Sequence, residues 1–381
     1  MAKKRTRAAN GMGTVRQRKD GTWEGRYTAP DGRQRSVYAK TEAEVTKKLR
    51  AILHEIDSGA WLEPSRMTVD EWLDIWLQDY QGHTTGRTVE TYRGVIQRHI
   101  KPSFGAVKMA KVSPIHVRRM VLTMQEKKLS ASTIRHACGI VGAAMRCAIE
   151  AGLIKSNPVD GIKLPRRVAS KFDVVDRELI PAFIKAAHDT PFPNELIIML
   201  LTGMRVGEVR GLRWEDFDAV NGTLHIQRQL HAVTHKERFA PPKDGEDRVI
   251  QLAPEAVDVL KQQRKRQAEQ RIAAGADWFE DDITAGLVFR QKKGKAHSEV
   301  SIYKAVRAAG EAIGMAELHP HDLRHSYAVA ALRSGADVKT VQHNLGHKNA
   351  SITLDTYAAY TTDAGKEGAK KLSEYLQSAQ K

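Results

Sequence analysis

Cysteine is almost missing: the 381 residues hold two, Cys138 and Cys147. Nine apart within one predicted helix, they are not placed to bridge, which excludes a disulfide scaffold and fits a reducing compartment. No stretch approaches the roughly 18 apolar residues of a membrane span, and the basic start MAKKRTR leads into no apolar signal region. The cytoplasm is therefore the expected location. No GxxxxGK[ST] loop occurs, which fits chemistry that needs no ATP. Histidines gather at His319, His321 and His325, but no carboxylate or cysteine accompanies them at a metal-ligand spacing, and no metal or other cofactor is expected. Acidic residues are also in deficit: 45 Asp and Glu face 61 Lys and Arg, leaving a net charge of +16. That balance favours a polyanionic partner, most often nucleic acid, although ribosome-associated and membrane-surface proteins share it.

What is present concentrates near the C-terminus, in HPHDLRHSYAVAALRSGADVKTVQHNLGHKNASITLDTYAAY, residues 319–360. On a helix, His321 and Arg324 share a face, while Leu323, Tyr327 and Ala330 fall opposite and pack inward. Gly335 supplies a left-handed stop and Asp337 an N-cap. Val338, Val341 and Leu345 form the buried stripe of a short second helix that Gly346 closes, leaving His347 at its exit. Ten residues on stands Tyr357, close enough along the chain to fold back toward His347. A tyrosine hydroxyl, with a pKa of roughly 10, is a poor nucleophile unless a neighbour takes its proton or cations stabilise the phenolate. Arginine's planar donor fork suits the non-bridging oxygens of a phosphate, and its charge does not titrate away. The combination points to phosphoryl transfer. A lone HxxR is commonly a surface or capping feature; the joint order HxxR, LGH, TLDxY carries the specificity.

That order resembles the C-terminal signature of the tyrosine recombinase (phage integrase) family. The first half of the family's signature is matched upstream by LLTGMRVGEVRGLRWEDFD, residues 200–218, with Arg205 at the catalytic position and Glu208 at the supporting acidic one. Between them APPKDGEDRVIQL resembles the β-hairpin that carries the family's mobile lysine, here placed at Lys243, with Lys236, Arg238 and Arg248 nearby. The resemblance implies that Tyr357 attacks a DNA phosphodiester to give a 3′-phosphotyrosine. Arg205, Arg324 and His347 would hold the phosphate, Lys243 would protonate the leaving 5′-oxygen and His321 would assist proton transfer.

Residues 1–58 carry 14 Lys and Arg against 7 Asp and Glu. After a basic tail, GTVRQRKDGTWEGRYTAPDGRQRSVYAK predicts three short strands punctuated by Lys19-Asp20-Gly21 and Pro30-Asp31-Gly32, with Thr41 capping the helix that follows. Val15, Trp23, Tyr27, Val37 and Tyr38 alternate with Arg16, Arg18, Arg26, Arg33 and Arg35, a basic face over an apolar one that suits a major groove. A small sheet with solvated arginines is the plainer alternative. The segment resembles the arm-type DNA-binding domain of some phage and transposon integrases, so Arg16, Arg18, Lys19, Arg26, Arg33 and Arg35 are DNA-binding candidates.

Residues 66–165 predict an all-helical domain. It opens on a Thr68/Glu71 capping box, continues at Thr85 to Ile100, Ser113 to Gln125 and Ser130 to Ala151, and is broken at Pro102 and Gly105. It corresponds in order and size to the family's core-binding domain, with Arg87, Tyr92, Arg93 and Arg135 as DNA-contact candidates near helix starts. Residues 171–381 predict a mixed α/β catalytic domain: helices at 176–189 and 193–201, strands at 222–231 and 248–252, a charged helix at 255–274, a basic loop at 290–295 and a tail helix near 363–377 that packs in cis or on a neighbour. The expected fold class is thus multidomain α+β. The family resemblance implies a site-specific recombinase of a phage or mobile element acting on double-stranded DNA at core-type and arm-type sites. It also implies a homotetramer, helped by a host DNA-bending protein and an excision factor, in a bacterial cytoplasm at the nucleoid and without a membrane. The alternatives are a catalytically silent DNA-binding or architectural protein and a type IB topoisomerase-like enzyme.

Overall fold

The computed structural model describes residues 13–58, 61, 66–166, 172–233, 236–242 and 247–346. The chain divides into two compact units, Met1–Val168 and Ala169–Lys381. Among the described residues no helix is long and apolar enough to cross a membrane.

The first unit begins with an antiparallel meander, β1 (Thr14–Gln17), β2 (Trp23–Thr28) and β3 (Gln34–Ala39), backed by α1 (Glu42–Asp57). Thr41 caps α1 by accepting from the Glu44 amide, satisfying one of the donors a helix start leaves open. Val15, Tyr27 and Val37 pack with Leu49 and Ile52, and Trp61 closes the same cluster. The register pairs Tyr27 with Arg35 and Glu24 with Tyr38. Arg35 therefore lies on the helix-side face and Tyr38 on the face of Arg16 and Arg26, the reverse of the expected alternation. Side chains change face at every residue, so adjacent Val37 and Tyr38 cannot share one.

Helices α2 (Val69–Tyr80), α3 (Gly86–Val95), α4 (Lys101–Phe104), α5 (Pro114–Glu126) and α6 (Ala131–Glu150) follow. Thr68 and Glu71 form the reciprocal capping box at the start of α2. Trp72, Leu73 and Trp76 enter a core shared with Ile100, Met120, Ile134 and Met145. Pro102 does not break this region as expected: a π-helical turn over Ile96–Ile100 joins α3 to α4, and Pro102 stands in the first turn of α4. The wide turn removes the clash and missing-donor penalty that proline brings to a regular helix.

In the second unit α7 (Ile180–His188), α8 (Pro193–Thr202) and α9 (Val206–Gly211) lead into β4 (Phe217–Asp218), β5 (Thr223–Ile226), β6 (Gln229–Val233), β7 (Lys236–Ala240) and β8 (Arg248–Gln251). Then come α10 (Pro254–Ala274), α11 (Glu299–Ala312), α12 (Pro320–Arg333) and α13 (Val338–Leu345). The strands make a three-stranded antiparallel sheet, β4-β5-β8, and a separate hairpin, β6-β7. The single strand expected over 222–231 is thus broken. At the break Gln227 donates to Asp216 at 2.6 Å, and Arg228 bonds Asp216 at 2.7 Å and Glu215 at 3.0 Å. Those three bonds turn the chain out of one sheet and into the other. The core of the unit gathers Phe183, Ile198, Leu224, Ile250, Leu260, Phe289, Val306 and Leu323.

The 290–295 loop folds on itself. Arg290 is buried, donating to Gly294 O at 2.7 Å and Glu280 at 2.8 Å with its guanidinium 4.6 Å from the Trp278 ring, and Lys293 pairs with Asp277 at 2.9 Å. Arg290 is thus a buried anchor of this loop.

Candidate active site

The site is assembled from helix ends. α8 stops at Gly203, whose φ of 65° is left-handed, and a Cβ there would lie 2.6 Å from a Tyr327 ring carbon. Only glycine permits both the turn and that approach of α8 to α12. The chain then extends through Arg205, the N-cap of α9. The Arg205 amide donates to Glu208 Oε2 at 2.9 Å, and its guanidinium donates to Oε1 at 3.0 Å. From the other side Arg248 donates through Nη2 to Oε2 at 2.8 Å and through Nη1 to Oε1 at 3.2 Å. Burial on its own would raise the Glu208 carboxyl; the hydrogen bonds and charges of Arg248 and Arg205 outweigh it and hold the pKa below the usual carboxylate range.

Arg324 is the largest fully buried side chain of the described residues. It donates through Nη1 to Gly203 O at 2.8 Å and through Nη2 to Leu345 O. The expected division of α12 into a working and a holding face therefore fails: Arg324 is buried and Ala330 exposed. The helix packs against α8, α11 and α13, so most of its circumference is interior. His321 is exposed at its N-terminal turn, its ring edge-on to His325 at 4.7 Å, and His325 stacks on Phe172 at 4.2 Å. His319 is the N-cap, with Asp322 accepting from its amide at 2.8 Å. Burial pushes the Asp322 carboxyl and the Tyr327 hydroxyl up, and Tyr327 accepts from Asn344 Nδ2 at 2.8 Å.

Asp337 caps α13 and Gly346 ends it at φ 64°. The hairpin β6-β7 is held against α9 by glycine: a Cβ on Gly207 would meet His231 at 2.8 Å and one on Gly211 the Leu230 amide at 2.9 Å. Arg210 adds a bond to Leu230 O at 2.8 Å. Lys243, His347, Tyr357 and the tail helix lie outside the described residues. Among the neighbours of Lys243, Arg248 is engaged with Glu208 and is not a mobile acid. Arg248 is the residue that the pattern of the sequence left unassigned; its signal was a charge at the buried parity of a strand whose burial alternates as Arg248, Val249, Ile250, Gln251. Among the described residues no group of three His, Cys, Asp or Glu side chains could hold a metal ion.

The candidate DNA contacts differ in exposure and bonding. Arg16 and Arg26 lie on the open face of the small sheet, bonded to a buried Glu24 at 2.6 and 3.1 Å. Arg18 lies over the Tyr38 ring at 5.4 Å, and Lys19 and Arg33 are exposed in the two turns. Arg35 instead bonds Asp31 at 2.8 Å and covers Trp61 at 5.2 Å. In the helical region Arg87 and Arg93 are exposed, and Arg135 donates to Pro165 O at 3.1 Å. Tyr92 belongs to an aromatic stack with Tyr80 at 5.4 Å, edged by His136 at 5.7 Å.

A knot of arginines joins two sequence boxes more than a hundred residues apart beside the β6-β7 hairpin, an arrangement suited to holding a phosphate. Comparison with known proteins gives the family. Residues 174–363 match the Phage integrase family and residues 68–125 its N-terminal SAM-like domain. The integrase of Streptomyces ambofaciens is 27% identical over 330 residues, covering 84% of this chain and 83% of that protein. The Tn1549 transposon integrase in complex with a circular intermediate DNA superposes with a TM-score of 0.68 at 21% identity, over 80% of this chain and 99% of that one. The lambda integrase tetramer bound to a Holliday junction gives 0.55 at 16%, over 91% and 96%. The chain belongs to the phage integrase family of tyrosine recombinases, enzymes of site-specific DNA recombination.

Proposed function

We propose that this recombinase cleaves and rejoins DNA through Tyr357. The tyrosine oxygen attacks the scissile phosphorus, the P–O5′ bond breaks, and the products are a 3′-phosphotyrosine and a 5′-hydroxyl. The energy of the broken bond is retained in the new ester, so a partner strand's 5′-hydroxyl reverses the step without ATP. Arg205 and Arg324 bind the non-bridging oxygens as charge grows on them, joined by His347. Single donors of such preorganised sites typically contribute ~3–4 kcal/mol. Lys243 protonates the leaving oxygen and His321 serves the proton traffic of Tyr357. Glu208 orients Arg205.

The observation that carries this reading is the tie from Arg324 to Gly203 O and Leu345 O together with that from Arg205 through Glu208 and Arg248 to Asn344 O. It brings the first-arginine box, the HxxR box and the turn before His347 into one cluster.

In this reading residues 1–58 bind arm-type sites and 66–165 core-type sites on double-stranded DNA, with 171–381 as the catalytic domain. Four protomers exchange strands between two duplexes, as the lambda tetramer on its junction supports. A host bending protein and an excision factor set direction, and the enzyme works at DNA in a bacterial cytoplasm, integrating a phage or mobile element. The test is a nicked duplex of the attachment site incubated with wild type and Tyr357→Phe. A covalent 3′-linked adduct in wild type alone is expected on a denaturing gel; equal binding with no adduct from either protein on a proven substrate refutes the nucleophile.

A further inference from the structure

Glu208 has all its acceptor positions filled by two arginines, and only Arg205 belongs to the proposed phosphate clamp. Arg248 has no place in the mechanism above, yet it is the better buried of the two, its side chain 3% exposed against 18% for Arg205. A charge so deep requires compensation on every side, and its partners define what it connects. Two donors meet the two oxygens of Glu208 in the bidentate geometry that fixes orientation as well as distance. The third, Nε, reaches Asn344 O at 2.8 Å, a carbonyl in the last turn of α13. Gly346 lies against the same guanidinium, where an added Cβ would sit 3.0 Å from Nη1. A second bond, His343 Nε2 to Val249 O at 2.9 Å, fastens β8 to α13 beside the first.

Resting on the phosphate-clamp reading of Arg205 and His347, we propose that Arg248 is a positioning residue for that clamp. One planar group sets the Arg205 guanidinium through Glu208 and, through Asn344 O and Gly346, ties it to the end of α13, one residue before His347 in the chain. Lysine cannot replace it: a single ammonium has no planar fork with which to span a carboxylate and a carbonyl together. Misplacing reacting groups by about an ångström typically costs on the order of a hundredfold in rate.

The experiment compares wild type with Arg248→Lys on two nicked suicide duplexes, one with the natural scissile phosphate and one with a neutral methylphosphonate there. The methylphosphonate lacks the second charged oxygen that the clamp serves. Site binding and melting temperature are measured first. On phosphate, Arg248→Lys is expected to form adduct about a hundredfold more slowly at unchanged site affinity; on methylphosphonate the gap narrows below about tenfold. Glu208→Gln, which releases Arg248 and Arg205 from their shared carboxylate, should show the same narrowing and serves should Arg248→Lys not fold. An equal gap on both substrates means that Arg248 acts only through overall stability and overturns the proposal, as does a wild-type rate on phosphate. Adduct formation by wild type, and its loss in Tyr357→Phe, tests the parent reading separately.

Discussion

Two buried glutamates among the described residues, Glu24 and Glu208, each hold two arginines, and the arginines differ sharply in exposure. Glu24 lies under the open face of the small sheet, taking Arg16 at 2.6 Å, Arg26 at 3.1 Å and the Ser36 hydroxyl at 2.8 Å. Its arginines are 57% and 42% exposed. Glu208 holds Arg205 and Arg248, which are 18% and 3% exposed. The same chemistry therefore does different work. Around Glu208 both guanidinium groups are largely withdrawn from solvent, and that of Arg248 has its direction fixed further by the Asn344 carbonyl, the kind of preorganisation that a catalytic clamp requires. Around Glu24 each arginine keeps solvent-facing donors, a surface that holds its arginines upright and leaves them able to meet a phosphate or a base edge.

The sharpest way to break the comparison is at the buried extreme. Arg324→Ala removes the donors of Gly203 O and Leu345 O and leaves a cavity. Two orphaned buried carbonyls at ~1–3 kcal/mol each predict a destabilisation of about 3 kcal/mol or more, read as a shift of the second unit's urea transition. Adduct formation should fall by at least ~10²-fold in whatever fraction remains folded. A variant that melts like wild type would show that the carbonyl bonds are replaceable and that Arg324 is less integral to the fold than its burial indicates.

This asymmetry also explains what the sequence made legible. Local patterns carried the helices whose caps are written in adjacent residues: Thr41, Thr68 with Glu71, Asp337, Gly346. The boxes around Arg205 and Arg324 were recognisable because their order is local too. The role of Arg248 was not, since its partners, Glu208 and Asn344, lie 40 and 96 residues away in sequence, and no short-range pattern encodes a bond of that span. Register was hidden for a related reason. The alternation in 34–39 fits either face, and the pairing of Tyr27 with Arg35 decides which. The break at Gln227 and Arg228 depends on Glu215 and Asp216, residues that lie in the short helical turn before β4 and look like ordinary surface acids in the sequence.

At the exposed extreme a smaller effect is expected. Glu24→Gln cannot hold two guanidinium groups by charge, so Arg16 and Arg26 lose their common orientation while the face gains one net positive charge. Affinity for the proposed arm-type site should drop severalfold, with non-specific binding and its salt dependence unchanged or slightly raised, so that the specificity ratio falls. Titrations against specific and random duplex at two salt concentrations check this; an unchanged ratio would mean that Glu24 organises nothing that DNA reads. The hydrogen bonds from Ser36 and Arg16 bring the Glu24 carboxyl down to about 2 from 4.5. Because the folded value lies below the unfolded one, the stabilisation is present above about pH 4.5 and is lost as the pH falls toward about 2. The melting difference between wild type and Glu24→Gln should close over that window.

Arg35 provides the smallest and most discriminating contrast. It shares the strand and the charge of the basic segment but faces the helix, bonded to Asp31 and lying over Trp61. A solvent-screened ion pair and a part-exposed cation–π contact each contribute up to about 1 kcal/mol. Arg35→Ala should therefore lower the stability of the first unit by about 1 kcal/mol while leaving affinity for the proposed arm site within about twofold, apart from the loss of one long-range charge. Arg26→Ala, on the opposite face, should do the reverse, weakening DNA binding with little change in melting. If Arg35→Ala instead weakens DNA binding as much as Arg26→Ala, side-chain direction in the sheet does not select the DNA-facing arginines, and net charge alone accounts for binding by this segment.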